Sequence, residues 1–480
     1  MKKIAKKLLA VLLCVCMVIP FASCGKETAS ADVPTLIWYI PGAKTADLEL
    51  INEEVNKIVE PKIGARIDME FIDDAAYPDK MTMNMASKNQ FDICFTGYIN
   101  KYPDAVNRGG FMDITEYVEK SDKLKEAIPE YAWDATRING KIYAVPNQQT
   151  FTQTNGIAFR KDLVEKYNFD ISKVKNIRDV EPFLQQIKEN EKDYYPVKRF
   201  KYEFLTSDKY EPINDFSSLV FMKRDGSHEI VPICDIPEVK EFIDISRDWY
   251  LKGYYRPDVA TVGNENPDVY LGKYAVWPVA WKPGVLEEEG AKMPDVEIVG
   301  VNMVEPYLTR FFSTATMYAV SATSKNPEKA VKFLELLNTD KELYNLICWG
   351  IEGKHYEKLD GEYIKLIPES GYVQNASWKF GNCFNSYILE GQPEDLWEIT
   401  KKENDTAKQS EIVALAFDNA AVRTELANCA AIISEYMYMY AGYQDPEESF
   451  KKYKNRLEEA GIYKIVEEAQ KQVDEFFKNK

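Results

Sequence analysis

Between residues 35 and 97 short apolar runs alternate with segments of helical period. Leu36-Ile37-Trp38-Tyr39-Ile40 reads as a buried strand, broken by Pro41-Gly42. Leu48, Ile51, Val55, Ile58 and Val59 then recur at helical spacing, with Thr45 as the expected cap and Pro61 as the expected stop. Ile67 to Ile72 alternates in the strand manner, a helix follows around 80–87, and Phe91 to Thr96 is another buried run ending at Gly97. Strand, helix, strand, helix, strand with short links is the pattern of a parallel sheet with helices on its faces.

Further along, Asn139-Gly140 marks a turn leading into an extended crossing near 143–147. Gly156 to Phe159 is the next predicted strand and a helix begins at Arg160, so a second α/β region runs from about 150 to 310. An extended segment near 311–319 returns the chain. Pro327 then opens a helix that uses Ala330, Val331, Phe333, Leu334 and Leu337. From Asp405 onward the pattern is nearly all helical, with one start at Asp445-Pro446 and a break at Gly461.

The first residues carry Lys2, Lys3, Lys6 and Lys7, an apolar run from Leu8 to Val18, and Phe21-Ala22-Ser23-Cys24. The run is shorter than the roughly 20 residues that span a bilayer. Positive, apolar and small-residue regions in this order describe an export signal. Its end resembles a bacterial lipobox, with Phe21 where an aliphatic residue is usual. Residues 1–23 would be removed, Cys24 would become the lipid-modified first residue, and the small polar stretch 24–34 would be a flexible tether. Loss of the four lysines takes the formal charge from -17 to -21. So acidic a body disfavours nucleic acid, which requires clustered cations; membrane contact is expected through the lipid alone.

A length of 480 residues with 45% apolar content suits two or three packed domains. Beyond the leader, Cys94, Cys234, Cys348, Cys383 and Cys429 have neither a disulfide-framework nor a zinc-ligand spacing, and read as buried small hydrophobes with room for one pair to bridge. There are only two histidines, His228 and His355, and no nucleophile elbow, metalloprotease helix or phosphate loop occurs. No cofactor, metal or catalytic residue is expected, although a glycosidase needs only two carboxylates.

Aromatic residues, at 13%, are abundant. A sugar ring offers a C–H face to an aromatic side chain, while its hydroxyls require amides and carboxylates. Because ligands of open α/β sheets bind beyond the carboxyl ends of strands, the candidates are Trp38, Tyr39 and Tyr77, Thr96 and Tyr98, and Asn147 and Gln148. Trp277 and Trp281 are the preferred stacking pair, joined by Trp378 and Asn382 in a late loop. Core packing is as good an account of Trp38 as binding. Tyr436-Met437-Tyr438-Met439-Tyr440 reads as packing, Asp73-Asp74 as a turn, and His355 as a hydrogen-bonded structural residue.

Several stretches resemble an extracellular solute-binding lipoprotein of a carbohydrate ABC transporter. They include the lipobox, Gly140-Lys141-Ile142-Tyr143-Ala144-Val145-Pro146, Gly156-Ile157-Ala158-Phe159-Arg160-Lys161-Asp162-Leu163 and Ala322-Thr323-Ser324-Lys325-Asn326-Pro327. The most specific are Trp349-Gly350-Ile351-Glu352-Gly353-Lys354-His355-Tyr356 and Gly391-Gln392-Pro393-Glu394-Asp395-Leu396-Trp397. The resemblance implies a two-lobed, periplasmic-binding-protein-like α/β fold of type II, with hinge crossovers and a helical C-terminal part. The first lobe would comprise 35–145 plus about 312–365, and the second 146–311 plus about 366–480. It also implies a non-enzymatic, monomeric receptor that holds an oligosaccharide between its lobes and passes it to permease subunits. Ser87-Lys88-Asn89-Gln90 departs from the family's usual turn at this place. A peptide or amino-acid receptor and, less well supported, a surface glycoside hydrolase are the alternatives.

Overall fold

In the first lobe five strands lie in the order Arg66–Ile72, Thr35–Pro41, Ile93–Gly97, Thr316–Val320 and Ala144–Pro146. The computed structural model describes residues 33–152, 154–213, 219–293, 295–372 and 376–480; the leader, Cys24 and almost all of the expected tether lie outside them. The first two strands pair in parallel from Thr35 with Arg66 to Pro41 with Ile72, and Thr316–Val320 runs antiparallel to Ile93–Gly97. Leu36, Trp38 and Ile40 face the core and are fully buried, as alternation along a strand requires.

Helix Leu48–Ile63 packs its Leu48, Ile51, Val55 and Val59 against this sheet. Asn56 on the same face accepts from Ile67 N and donates to Ile67 O, at 2.6 and 2.8 Å, so a buried amide is satisfied on the adjoining strand. The helix continues past the expected stop at Pro61 because Gly64, at φ 63°, supplies a left-handed cap whose N–H donates to Glu60 O. Thr45 does not cap it either; Asp47 occupies that position, with its carboxylate turned to Lys354 and His355.

The second lobe holds a sheet ordered Ile298–Asn302, Thr154–Arg160, Tyr274–Trp281 and Tyr195–Val197, beside a three-stranded meander formed by Tyr210–Pro212, Val220–Lys223 and Ile230–Pro232. Helices Pro237–Leu251, Arg423–Glu435, Pro446–Glu459 and Ile462–Lys478 contribute to its core. The result is two α/β lobes with a helical C-terminal part, the class read from the sequence. Among the described residues no helix is long and apolar enough to cross a membrane.

The lobe boundaries differ from expectation. Residues near 143–147 and 316–319 are strands of the first sheet, not crossings, because their apolar runs pair with one another. Phe151 is still part of the first core, as are Tyr372, Phe380 and Cys383, so the segment after 366 stays with the first lobe and does not join the second. The chain returns to the second lobe only beyond the parallel pair Tyr307–Leu308 and Lys408–Gln409. There the buried carboxylate of Glu211 accepts from Tyr307 OH at 3.1 Å and Ser410 Oγ at 2.8 Å, tying the second lobe to both crossing segments. Residues 407–422 lack the α-helix expected from Asp405 onward.

Candidate functional site

The carboxyl ends of Thr35–Pro41, Ile93–Gly97 and Ala144–Pro146 share one edge of the first sheet, which forms one wall of a cleft of about 700 Å³. Cavities of this size are typical of small-molecule sites. Gly97, at φ 126°, makes the edge possible: a Cβ there would stand 2.1 Å from Ala315 O. The close approach turns Tyr98 outward into the cleft, with Tyr98 N donating to Ala315 O at 2.9 Å.

Opposite ends of the first lobe's sequence meet here. Asn147 Nδ2 donates to Lys379 O at 2.8 Å, and Lys379 Nζ to Pro41 O at 2.8 Å. Gln148 N donates to Gly381 O, and Cys383 N to Gln148 O, at 2.7 and 2.9 Å. These bonds seat the loop after Ala376 on the strand ends. Trp378 then stands next to Tyr98, ring centroids 6.5 Å apart and tilted by 49°. Tyr98 is 41% exposed and Trp378 36%, which makes them an open aromatic surface rather than core. Burial pulls the Lys379 ammonium below the ordinary lysine range, with Asp74 opposing.

The facing wall begins where Tyr274–Trp281 ends. Lys282 and Pro283 lead into helix Val285–Ala291, which presents Glu287 and Glu288, and Lys292 follows it. Lys282 Nζ lies 2.6 Å and Lys292 Nζ 3.2 Å from Glu288, and Lys292 also reaches Glu289 at 2.8 Å. Burial raises the Glu288 carboxyl, but the two lysines outweigh it and hold it below the usual range. For Lys292 burial is in turn outweighed by Glu289 and Glu288, which push it upward. Phe311 and Phe312, with rings 5.2 Å apart, and Gln149, whose Nε2 donates to Thr316 Oγ1 at 2.9 Å, line the cleft at the crossings. Gln392 and Trp397 line it as well, the indole donating to Ser386 O at 3.0 Å.

Of the residues expected at a ligand, Tyr98 and Trp378 line the cleft. Trp38 and Tyr77 do not: both are fully buried, Trp38 edge-on to Tyr318, Phe333 and Phe380, and Tyr77 donating to Phe95 O at 2.9 Å. Half-buried Tyr39 packs on Phe91 in mid-strand, and buried Thr96 donates to Asn100 Oδ1 at 2.6 Å. Asn147, Gln148 and Asn382 are scaffold groups, Asn382 accepting from Phe384 N at 3.1 Å. The preferred stacking pair, Trp277 and Trp281, does not line this cleft either. Trp277 is buried in a wall of a smaller cavity, and Trp281 lies across Gly156 and Gly300, where a Cβ would come within 2.3 and 3.0 Å of its ring. Both sit in a regular strand whose alternation turns them toward packing, not in the loop expected around Pro278.

Sequence reasoning missed Phe311, Phe312, Lys282, Glu288 and Lys292. They carry no motif; only the proximity of Lys282 to the Trp281 strand end hinted at a role. Trp349, Gln392 and Trp397, by contrast, lie in the two late stretches singled out by resemblance, and all three line the cleft.

The model of a bacterial extracellular solute-binding protein family matches residues 50–343. The chain belongs to that family. A domain of unknown function (DUF3502) matches residues 412–478, the part that contributes the last helices of the second core. The chain is similar to a carbohydrate ABC transporter substrate-binding protein of Streptococcus pneumoniae, 30% identical over 96% of each chain. Lipoprotein LipO of Bacillus subtilis is 22% identical over 79% of this chain and 78% of its own. The crystal structure of the N-glycan transport solute-binding protein NgtS of Streptococcus pneumoniae superposes with TM-score 0.84 at 28% identity, covering 93% of this chain and 99% of NgtS. Its complexes with GlcNAc glycans carrying one and five mannose units superpose at 0.76 and 0.75.

Among the described residues no cluster of His, Cys, Asp and Glu is placed to hold a metal. The described cysteines are free and buried. His355 is fully buried and hydrogen-bonded, as the sequence suggested.

Proposed function

We propose that this protein captures an oligosaccharide in the cleft between its lobes and delivers it to the permease of an ABC importer. The observation that carries the reading is the exposed Tyr98–Trp378 surface set against a wall of amides and paired charges. Aromatic faces take the C–H faces of sugar rings, and Gln149, Gln392 and the Glu288 group read hydroxyls. Kinship with NgtS supports the same ligand class.

The cleft's charges favour a neutral ligand over a peptide. Lys282 and Lys292 are engaged by Glu288 and Glu289, and Lys365 lies 3.6 Å from Glu390, so among the described residues each lysine lining the cleft already faces a carboxylate. Glu288, held below its ordinary pKa, is the opposite of the raised carboxyl that a glycosidase general acid requires.

Closure would be a hinge motion about the crossings near Tyr307–Leu308 and Lys408–Gln409, driven by tighter binding to the closed state. Cys24, as a lipid-bearing first residue, would keep a monomeric receptor at the outer face of the membrane. Calorimetry and thermal unfolding with a panel of linear and branched oligosaccharides test the reading. Saturation at a hundredfold excess over Kd stabilises by about 2.7 kcal/mol; a panel in which no sugar binds overturns it.

A further inference from the structure

Beside the main cleft the second lobe carries a smaller chamber of about 290 Å³. Lys282 and Glu288, an ion pair at 2.6 Å, line both spaces, so the chamber adjoins the cleft across a two-residue partition. It lies at the carboxyl ends of Tyr195–Val197 and Tyr274–Trp281, the parallel pair of the second sheet, marked by Lys198 and Ala280. Ligand sites in α/β sheets occupy this position.

Its lining is mixed in a particular way. Val269, Val279 and Val285 supply apolar surface. The half-buried Lys198 Nζ donates to Asn266 Oδ1 at 2.6 Å, which uses one of the three N–H groups an ammonium carries. Glu289 adds a carboxylate acceptor, already shared with Lys292. An apolar side with one strong donor and one strong acceptor matches a pyranose, whose hydroxyls both give and accept while its ring C–H groups do neither. The volume lies just below the range typical of whole-ligand pockets, and so suits a single ring attached to a ligand held elsewhere.

We propose that this chamber is a second saccharide subsite, taking one pyranose unit of a glycan whose remainder occupies the main cleft. The assignment rests on the oligosaccharide reading above and sharpens it: the preferred ligand is a larger or branched glycan that places a unit past the Lys282–Glu288 partition. Burial lowers the Lys198 ammonium, with Glu265 and Glu289 opposing, so a hydroxyl acceptor there would hold the proton in place.

The test is calorimetry with GlcNAc glycans carrying one and five mannose units, alongside linear and branched gluco-oligosaccharides of two to six units. Lys198→Met removes the donor, and Ala280→Phe fills the chamber from an exposed position outside the core. For the unmodified protein, affinity is expected to rise with glycan size. Each variant should lose about tenfold on the larger glycans, the scale of one charge-assisted hydrogen bond, and stay within twofold on the smallest one bound. Equal loss on small and large glycans, no loss on either, or no size dependence in the unmodified protein overturns the subsite. If the unmodified protein binds no glycan at all, it is the oligosaccharide reading that falls.

Discussion

The buried His355 ring faces Asp47 across 3.1 Å, Nε2 to Oδ2, while its Nδ1 accepts the Ile351 N–H at 2.9 Å. The neutral ring therefore carries its proton on Nε2 and gives it to the carboxylate. Lys354 binds the same oxygen from the solvent side. One aspartate thus fastens the start of helix Leu48–Ile63 to the Trp349–Tyr356 stretch.

That fastening sets an acid response. The Lys354 hydrogen bond, then that of His355, lowers the Asp47 pKa in the folded protein. A carboxyl lowered on folding contributes stability that is complete above the ordinary aspartate value of about 3.9 and is lost as pH falls through the lowered one. Urea unfolding measured between pH 7 and pH 2.5 should show a steeper acid decline for the unmodified protein than for Asp47→Asn. Parallel curves would remove Asp47 from the account.

Replacing Tyr98 or Trp378 with Ala should weaken sugar binding by about 1–2 kcal/mol each, near tenfold in Kd. Both rings are exposed, so unfolding free energy should move by no more than about 0.5 kcal/mol. Titration calorimetry paired with denaturant unfolding separates the two effects, and unchanged affinity in both variants would dismiss the aromatic surface as the binding wall.

Trp38→Ala should behave in the opposite manner. The indole lies edge-on to Tyr318 and Phe333 at 5.1 Å and to Phe380 at 6.0 Å, with no exposed surface. Its loss should cost about 3–5 kcal/mol of stability, read from the urea midpoint, while the folded fraction retains its ligand affinity.

The described cysteines should be silent toward alkylation in the native protein. All are buried, and desolvation raises Cys234 to about 12 and Cys429 to about 11, leaving little thiolate near neutral pH. Mass spectrometry after iodoacetamide treatment at pH 8 should find them unmodified until denaturant is added; labelling of any of them in the native state would contradict their burial.

Where the sequence was legible, one physical signal dominated. Leu36, Trp38 and Ile40 announced a buried strand by composition, and the period of Leu48, Ile51, Val55 and Val59 announced the helix packed on it. Distances along the chain did not matter for either. The cleft is different: Tyr98, Trp378, Lys282 and Phe312 come from four loops or short helices with no shared period, and only the tertiary fold brings them together. Tryptophan was an ambiguous guide for the same reason. Trp38, Trp277 and Trp378 look alike in sequence, yet strand alternation buries the first two, while the bonds of Asn147 and Gln148 hold the third at the surface. The lobe boundary was missed because the segment after 366 has no sustained period of its own, and only the packing of Tyr372, Phe380 and Cys383 assigns it to the first core.

The final helix, Ile462–Lys478, lays Ile465, Ala469 and Val473 into the second core, and Gln470 bonds to the backbone of Ile230 and His228. Phe477 stacks on His228 at 3.8 Å. The interior of the second lobe is thus closed by this one helix, and it opens to solvent whenever Ile462–Lys478 undocks. Undocking bares an apolar trough beside the Ile230–Pro232 strand, so hydrogen exchange at Ile230 reports the seating of a helix more than 230 residues further along the sequence.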